Sequence, residues 1–145
     1  SLEGNDAVGV ALAAAFAARS RKIADIILAS GALSPEEADA ARTAAALMGM
    51  NNVWYPFVEM TEDEDLKTHP AQLRMNAYAT NGGVDKRRFE MYALSASIIG
   101  KCHFCIKSHF DLLKKEGMST QQLRDVGRIA AVINAASQVM HQSDQ

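Results

Sequence analysis

Nowhere in this 145-residue chain do apolar and polar residues alternate with the period of two that a half-buried strand requires, which argues against most sheet-containing folds at once. In place of alternation the chain carries helix punctuation. Ser34-Pro35-Glu36-Glu37 combines a serine cap, a proline at the first helical position and a glutamate three residues after the cap. Asp85 can cap a helix that bears Phe89, Tyr92, Ala93, Ala96 and Ile99 on one stripe. Ser119-Thr120-Gln121-Gln122 repeats the capping-box pattern. Only three prolines interrupt the chain, and alanine leads an apolar fraction of 48%. Ala, Leu, Met, Glu, Lys and Arg all enter helices at little cost, so the expected fold class is all-α, a bundle of packed helices.

The expected elements follow in order. Asp6 to Ala18 and Ser20 to Ala29 read as two helices or one bent helix, with Gly31 as a left-handed cap. The helix opened by Ser34 runs to about Leu47. Gly49 and Asn51-Asn52 mark a break, followed by a short helix from Val53 to Met60. The acidic run Thr61 to Asp65 and Lys67-Thr68-His69-Pro70 read as surface loop, Pro70 to Ala79 as another short helix, and Asn81-Gly82-Gly83 as a turn. The helix capped by Asp85 closes at Gly100. The next starts near Cys102 and ends before Gly117, and the last helices run to about Met140.

This length suits one domain over residues 1–145, large enough for a true core. A net charge of -2 and a pI near 6.1 give no electrostatic case for nucleic acid. No apolar run reaches the roughly 18 residues of a membrane span. Val8 to Ala18 is apolar enough for a signal-peptide core, but no basic segment precedes it, and it reads better as an Ala-rich core helix. The chain begins at Ser1 rather than Met, which leaves open a truncated or tagged N-terminus. Two cysteines do not make a disulfide scaffold, and without an export signal they suggest a reduced, cytoplasmic setting.

Those two cysteines carry the chemistry. Cys102 and Cys105 lie three residues apart, and His109 follows Cys105 by four, so on a helix all three share roughly one face. Two thiols at that spacing can carry two electrons as a reversible disulfide. Cys102 sits near the helix start, where free backbone N–H groups and the dipole favour a thiolate. His109 can take the proton of Cys105 or stabilise its thiolate. In a regular helix the Cβ atoms three apart are about 5–6 Å from each other, whereas a disulfide needs roughly 3.5–4.5 Å. Closing the bond is therefore expected to draw the first turn inward, and an exposed, strained bond suits turnover better than stapling. Glu90, twelve residues before Cys102, stands just over three turns upstream; a fold-back at Gly100 brings it towards the thiols, where a carboxyl among Phe89, Tyr92 and Leu94 can shuttle protons.

Blander assignments compete with these. The cysteines could be small core residues, or zinc ligands together with His109 and either Glu90 or His103. Structural zinc usually takes two separated ligand pairs, and one pair is present. Haem attachment needs His directly after the second cysteine, and Ile106 is there. Met48, Met50, Met75 and Met91 read as core filler. Trp54 and Tyr55 read as packing or subunit-contact residues, and His69, His141 and the Glu62 to Asp65 loop as solvated surface.

Glu90, eleven intervening residues, then Cys102-x-x-Cys105-x-x-x-His109 resembles the signature of the alkylhydroperoxidase D (AhpD) family, within the carboxymuconolactone decarboxylase-like superfamily. Ala46-Leu47-Met48-Gly49-Met50-Asn51-Asn52-Val53-Trp54-Tyr55, Leu73-Arg74-Met75-Asn76 and Phe89-Glu90 resemble further AhpD segments in the same order. The likeness covers about residues 36 to 140. It implies an oligomeric helical bundle, commonly a trimer, acting as a thiol-dependent hydroperoxide reductase in antioxidant defence. Cys105 would be the peroxide-reactive sulfur, passing through a sulfenic acid, and Cys102 would resolve it and exchange with a partner such as a peroxiredoxin. The residues alone, without the resemblance, make Cys102 the attacking thiol because it is nearer the helix start. Glu90 and His109 would form a proton relay. No bound cofactor is implied; the reductant would be an external dithiol such as dihydrolipoamide on a lipoyl protein. One departure stands out: the family's histidine immediately before the second cysteine is Phe104 here. His103 points about 100° away around the helix, so the relay either loses a member or uses His103 differently. Two other functions remain: a redox-sensing or disulfide-exchange module without efficient turnover, and decarboxylase-like chemistry on a lactone, which needs no cysteine pair.

Overall fold

The computed structural model describes residues 1–143, and among them every regular element is helical. The elements are α1 (Gly4–Ala17), α2 (Arg21–Ala29), α3 (Pro35–Thr61), α4 (Glu64–Lys67), α5 (Asn76–Ala79), α6 (Lys86–Gly100), α7 (His103–Lys115) and α8 (Thr120–Ser143), with a 3₁₀ turn at Asn81–Gly83 before α6. The all-α expectation therefore holds. The caps lie where the sequence puts them. Ser34 and Glu37 bond reciprocally, side chain to backbone, at 3.1 and 2.9 Å. Asp85 accepts from the Arg88 N–H at 2.9 Å, and Ser119 and Gln122 form a second reciprocal pair. These signals are local, each side chain satisfying a backbone donor within one turn.

α6 is the hub. It packs against α1, α3, α7 and α8, and every residue from Phe89 to Ser97 is buried. The single stripe expected from the sequence is thus too narrow; α6 is covered on all sides, as a helix at the centre of a bundle must be. The Ser95 hydroxyl donates to the Val10 carbonyl of α1 at 2.8 Å, whereas the buried Tyr92 and Ser97 hydroxyls of α6 meet no hydrogen-bond partner among the described residues. Close approach depends on small residues. Ala13 and Ala14 of α1 and Ala40, Ala41 and Ala44 of α3 are fully buried. A Cβ on Gly9 would come within 2.4 Å of the Tyr92 ring. An ionic knot ties the same three helices: Arg88 Nε lies 3.1 Å from Asp6 Oδ1, and its guanidinium 3.8 Å from Glu37 Oε2. The Ser34 backbone N–H, opposed by burial and helped by Ser34 Oγ, Asn5 and Arg88, holds the Glu37 carboxyl below its ordinary range.

Four boundary expectations need correction. α3 does not break at Gly49 or Asn51-Asn52; it runs unbroken to Thr61. An exposed Gly costs a helix about 1 kcal/mol, and tertiary contacts outweigh this: Met48 and Asn51 are buried, and Asn52 Nδ2 donates to the Ala96 carbonyl of α6 at 3.2 Å. Residues 70–75 are irregular rather than helical, and α5 begins only at Asn76. The acidic loop contains α4, capped by Asp63, and the expected last helices are one helix, α8. Gly31 is left-handed as expected (φ 71°). At the end of α6, however, the left-handed residue is Lys101 (φ 55°) and not Gly100. Gly100 is needed for a different reason, since a Cβ there would meet Asn52 Nδ2 at 2.0 Å.

Candidate active site

The turn at Lys101 folds α7 back beside α6, and this brings Glu90 under the cysteine helix. Cys102 is the N-cap of α7, with extended backbone (φ -84°, ψ 108°), and its sulfur accepts the Cys105 N–H at 3.2 Å. The sulfurs of Cys102 and Cys105 are joined in a disulfide with Cα atoms 5.3 Å apart. The bond closes without an in-helix pair, because Cys102 lies just outside the helix and its backbone is free of helical geometry. The expected exposure is wrong: Cys102 is 0% and Cys105 3% exposed. Both sulfurs face the carbonyl of Asn51 on α3, at 3.8 and 3.7 Å. Pro56 lies in that stretch of α3 and, lacking an N–H, leaves the Asn52 carbonyl without its usual helical donor. In the reduced protein the Asn51 carbonyl can accept from either thiol.

Behind the disulfide lies a buried polar cluster. Glu90 (1% exposed) places Oε2 2.5 Å from His109 Nδ1, and its other oxygen accepts a hydrogen bond from the Tyr78 hydroxyl. Tyr78 Oη is also 3.3 Å from His109 Nδ1. The far ring nitrogen of His109, Nε2, lies 3.2 Å from the Met48 sulfur. A thioether has no proton to give, so Nε2–H is the donor there, and the proton available for transfer sits on the Nδ1–Glu90 side. Burial first, then the hydrogen bond and charge of Glu90, push the Tyr78 phenol far above its ordinary value, so it stays a hydroxyl.

A cleft of about 450 Å³ opens onto this cluster, with Cys105, His109, Tyr78, Met75, Tyr55 and Phe104 among its walls. Cys102 and Glu90 do not line it; they lie one layer deeper. Phe104, 54% exposed, stacks on Tyr55 at 4.2 Å between ring centroids and makes the apolar side of the mouth. His103 points elsewhere, its Nδ1 3.2 Å from Glu59 Oε1 on the surface, apart from the Glu90–His109 pair. The zinc set considered from the sequence does not converge either: both nitrogens of His109 face other groups, and among the described residues no three His, Cys, Asp or Glu side chains are grouped to hold a metal.

All four residues singled out from the sequence, Glu90, Cys102, Cys105 and His109, are therefore neighbours. Three further residues were missed. Tyr78 lies on the four-residue α5, after an irregular segment that offers no periodicity to read. Met48 reads as core filler and is fully buried, yet its sulfur also orients His109. Tyr55 reads as a packing residue and instead shapes the cleft mouth.

Residues 64–143 match the carboxymuconolactone decarboxylase family. The chain is 41% identical over 140 residues to the alkyl hydroperoxide reductase AhpD of Coxiella burnetii, an alignment covering 95% of this chain and 78% of that protein. It is 42% identical over 142 residues to AhpD of Rhodospirillum centenum, covering 97% and 76% respectively. Over 108 residues it is 47% identical to AhpD of Maricaulis maris, covering 74% of this chain and 62% of that one. With an all-helical fold, a Cys-x-x-Cys pair and this likeness along most of its length, the chain belongs to the AhpD alkyl hydroperoxide reductases of the carboxymuconolactone decarboxylase family.

Proposed function

We propose that this chain is a thiol-dependent alkyl hydroperoxide reductase, cycling Cys102 and Cys105 between dithiol and disulfide. The Cys105 thiolate attacks the terminal oxygen of the hydroperoxide. The O–O bond breaks, Cys105 becomes a sulfenic acid, and the alkoxide leaves as the alcohol after taking a proton. Cys102 then attacks the Cys105 sulfur, water departs, and the disulfide closes. An external dithiol of the dihydrolipoamide type exchanges through Cys102, regenerates both thiols and leaves as its own disulfide. Glu90 and His109 accept and return the protons. One arrangement supports this division of labour above all: Cys105, and not Cys102, stands on the cleft wall beside His109 and Tyr78.

The same reading has one domain working in the cytoplasm as a homo-oligomer, with a peroxiredoxin and a lipoyl protein as partners. The exposed Val53, Phe57 and Met60 on the outer part of α3 suit a subunit contact. No helix among the described residues is long and apolar enough to cross a membrane.

The test is a coupled assay of the wild-type protein with cumene hydroperoxide and excess dihydrolipoamide. Repeated turnover, with many equivalents of alcohol formed per protein, is expected. A single stoichiometric oxidation followed by arrest would instead mark a redox sensor or exchange module.

A further inference from the structure

Glu90 poses a problem of access. It is the buried end of the relay, 1% exposed, and does not reach the cleft where the alkoxide must be protonated. Phe104, beside Cys105 in the cleft, has no proton to offer. Among the protic groups on the cleft wall (the side chains of Asn51, Tyr55, Tyr78, Ser108 and His109), two touch Glu90, namely His109 and Tyr78. His109 points its second nitrogen at Met48, inside the core. Only Tyr78 joins Glu90 at its hydroxyl while lying on the cleft wall.

We propose that the Tyr78 hydroxyl is the general acid that protonates the departing alkoxide, and that Glu90 reloads it. The direction of one hydrogen bond sets the timing. While Glu90 is a carboxylate, the Tyr78 O–H donates to it, as in this structure. When Cys105 ionises, its proton passes to Tyr78 Oη as the Tyr78 O–H passes to the Glu90–His109 pair; the Glu90 O–H then donates to Tyr78 Oη, and the phenolic O–H turns towards the cleft. The alkoxide takes that proton and Glu90 passes its own to Tyr78 Oη. The net result is one proton moved from Cys105 to the alcohol, with no proton drawn from solvent. The phenol needs no negative charge at any stage, which fits a hydroxyl whose ionisation the site suppresses.

The inference rests on the hydroperoxide reductase reading, and leaving-group chemistry separates the two. Tyr78→Phe keeps the ring, which packs edge-on against Phe89 at 5.3 Å between centroids, and removes only the hydroxyl. Sulfenic acid formation is followed by stopped flow with two oxidants. Cumene hydroperoxide expels an alkoxide, which needs a proton; peracetic acid expels acetate, which does not. The variant is expected to react about 100-fold more slowly with cumene hydroperoxide and within about threefold of wild type with peracetic acid, since loss of a general acid penalises poor leaving groups. Its disulfide is expected to be reduced by dithiothreitol at the wild-type rate, and its helical circular dichroism to be unchanged. Equal slowing with both oxidants would assign Tyr78 a structural role and overturn the proposal, as would undiminished reaction with both. A wild-type protein inert to cumene hydroperoxide would instead remove the reductase reading, and this inference with it.

Discussion

Cys105→Ser is expected to abolish hydroperoxide consumption, whereas Cys102→Ser, without added dithiol, is expected to consume one equivalent and stop. The asymmetry follows from depth. Cys105 lines the cleft, and Cys102, fully buried, caps α7 behind it. Removing Cys105 leaves no thiol on the cleft wall to attack the peroxide. Removing Cys102 leaves the attack intact and the resolving step impossible, so the protein stalls as a sulfenic acid. Neither variant is expected to sustain repeated turnover with dihydrolipoamide, giving losses at the upper end of the 10²–10⁴-fold typical of single catalytic groups or beyond, on the order of background. Titrating residual hydroperoxide against protein, with a sulfenic-acid probe on Cys105 in the Cys102→Ser protein, reads both outcomes. If Cys102→Ser were inert and Cys105→Ser consumed one equivalent, the two sulfurs would have to exchange roles.

Glu90→Gln carries the second large effect. The amide has nearly the shape of the carboxylate; its oxygen can still accept from Tyr78 and its nitrogen can donate to an unprotonated His109 Nδ1. The packing of α6 is thus preserved, and losing a buried acid costs little stability when the replacement is hydrogen-bonded. What disappears is the group that takes and returns a proton. Turnover is expected to fall about 100- to 1,000-fold. Thermal unfolding of this variant should stay close to that of wild type. Wild-type turnover in Glu90→Gln would leave His109 without its proposed partner in proton transfer.

The helix starts were legible because a cap is a contract between neighbours: Ser34 with Glu37, Asp85 with Arg88, Ser119 with Gln122. The long α3 was not, since Gly49 and Asn51-Asn52 look like punctuation until α6 is laid beside them. It is the Asn52–Ala96 bond and the bare Cα of Gly100 that carry the helix through. The site divides in the same way. Cys102, Cys105 and His109 are tied by helical spacing, which a sequence displays. Glu90 reaches them because the chain reverses just after Gly100, which the sequence shows as a helix end, although the left-handed residue is Lys101 itself. Tyr78 and Met48 come from elements whose meeting depends on the whole bundle, so nothing in their immediate neighbours announces the contacts with Glu90 and His109. The depth of the sulfurs was misjudged for a related reason: a cap position reads as a surface position until α3 covers it.

The most direct measurement is intact-protein mass spectrometry after alkylation, on fully reduced protein with and without one equivalent of cumene hydroperoxide. Reduced protein should carry an alkyl group on both Cys102 and Cys105. Oxidised protein should carry none and weigh two hydrogens less than the unalkylated dithiol. Two fully alkylated sulfurs after exposure to the peroxide would contradict a catalytic disulfide cycle in this protein.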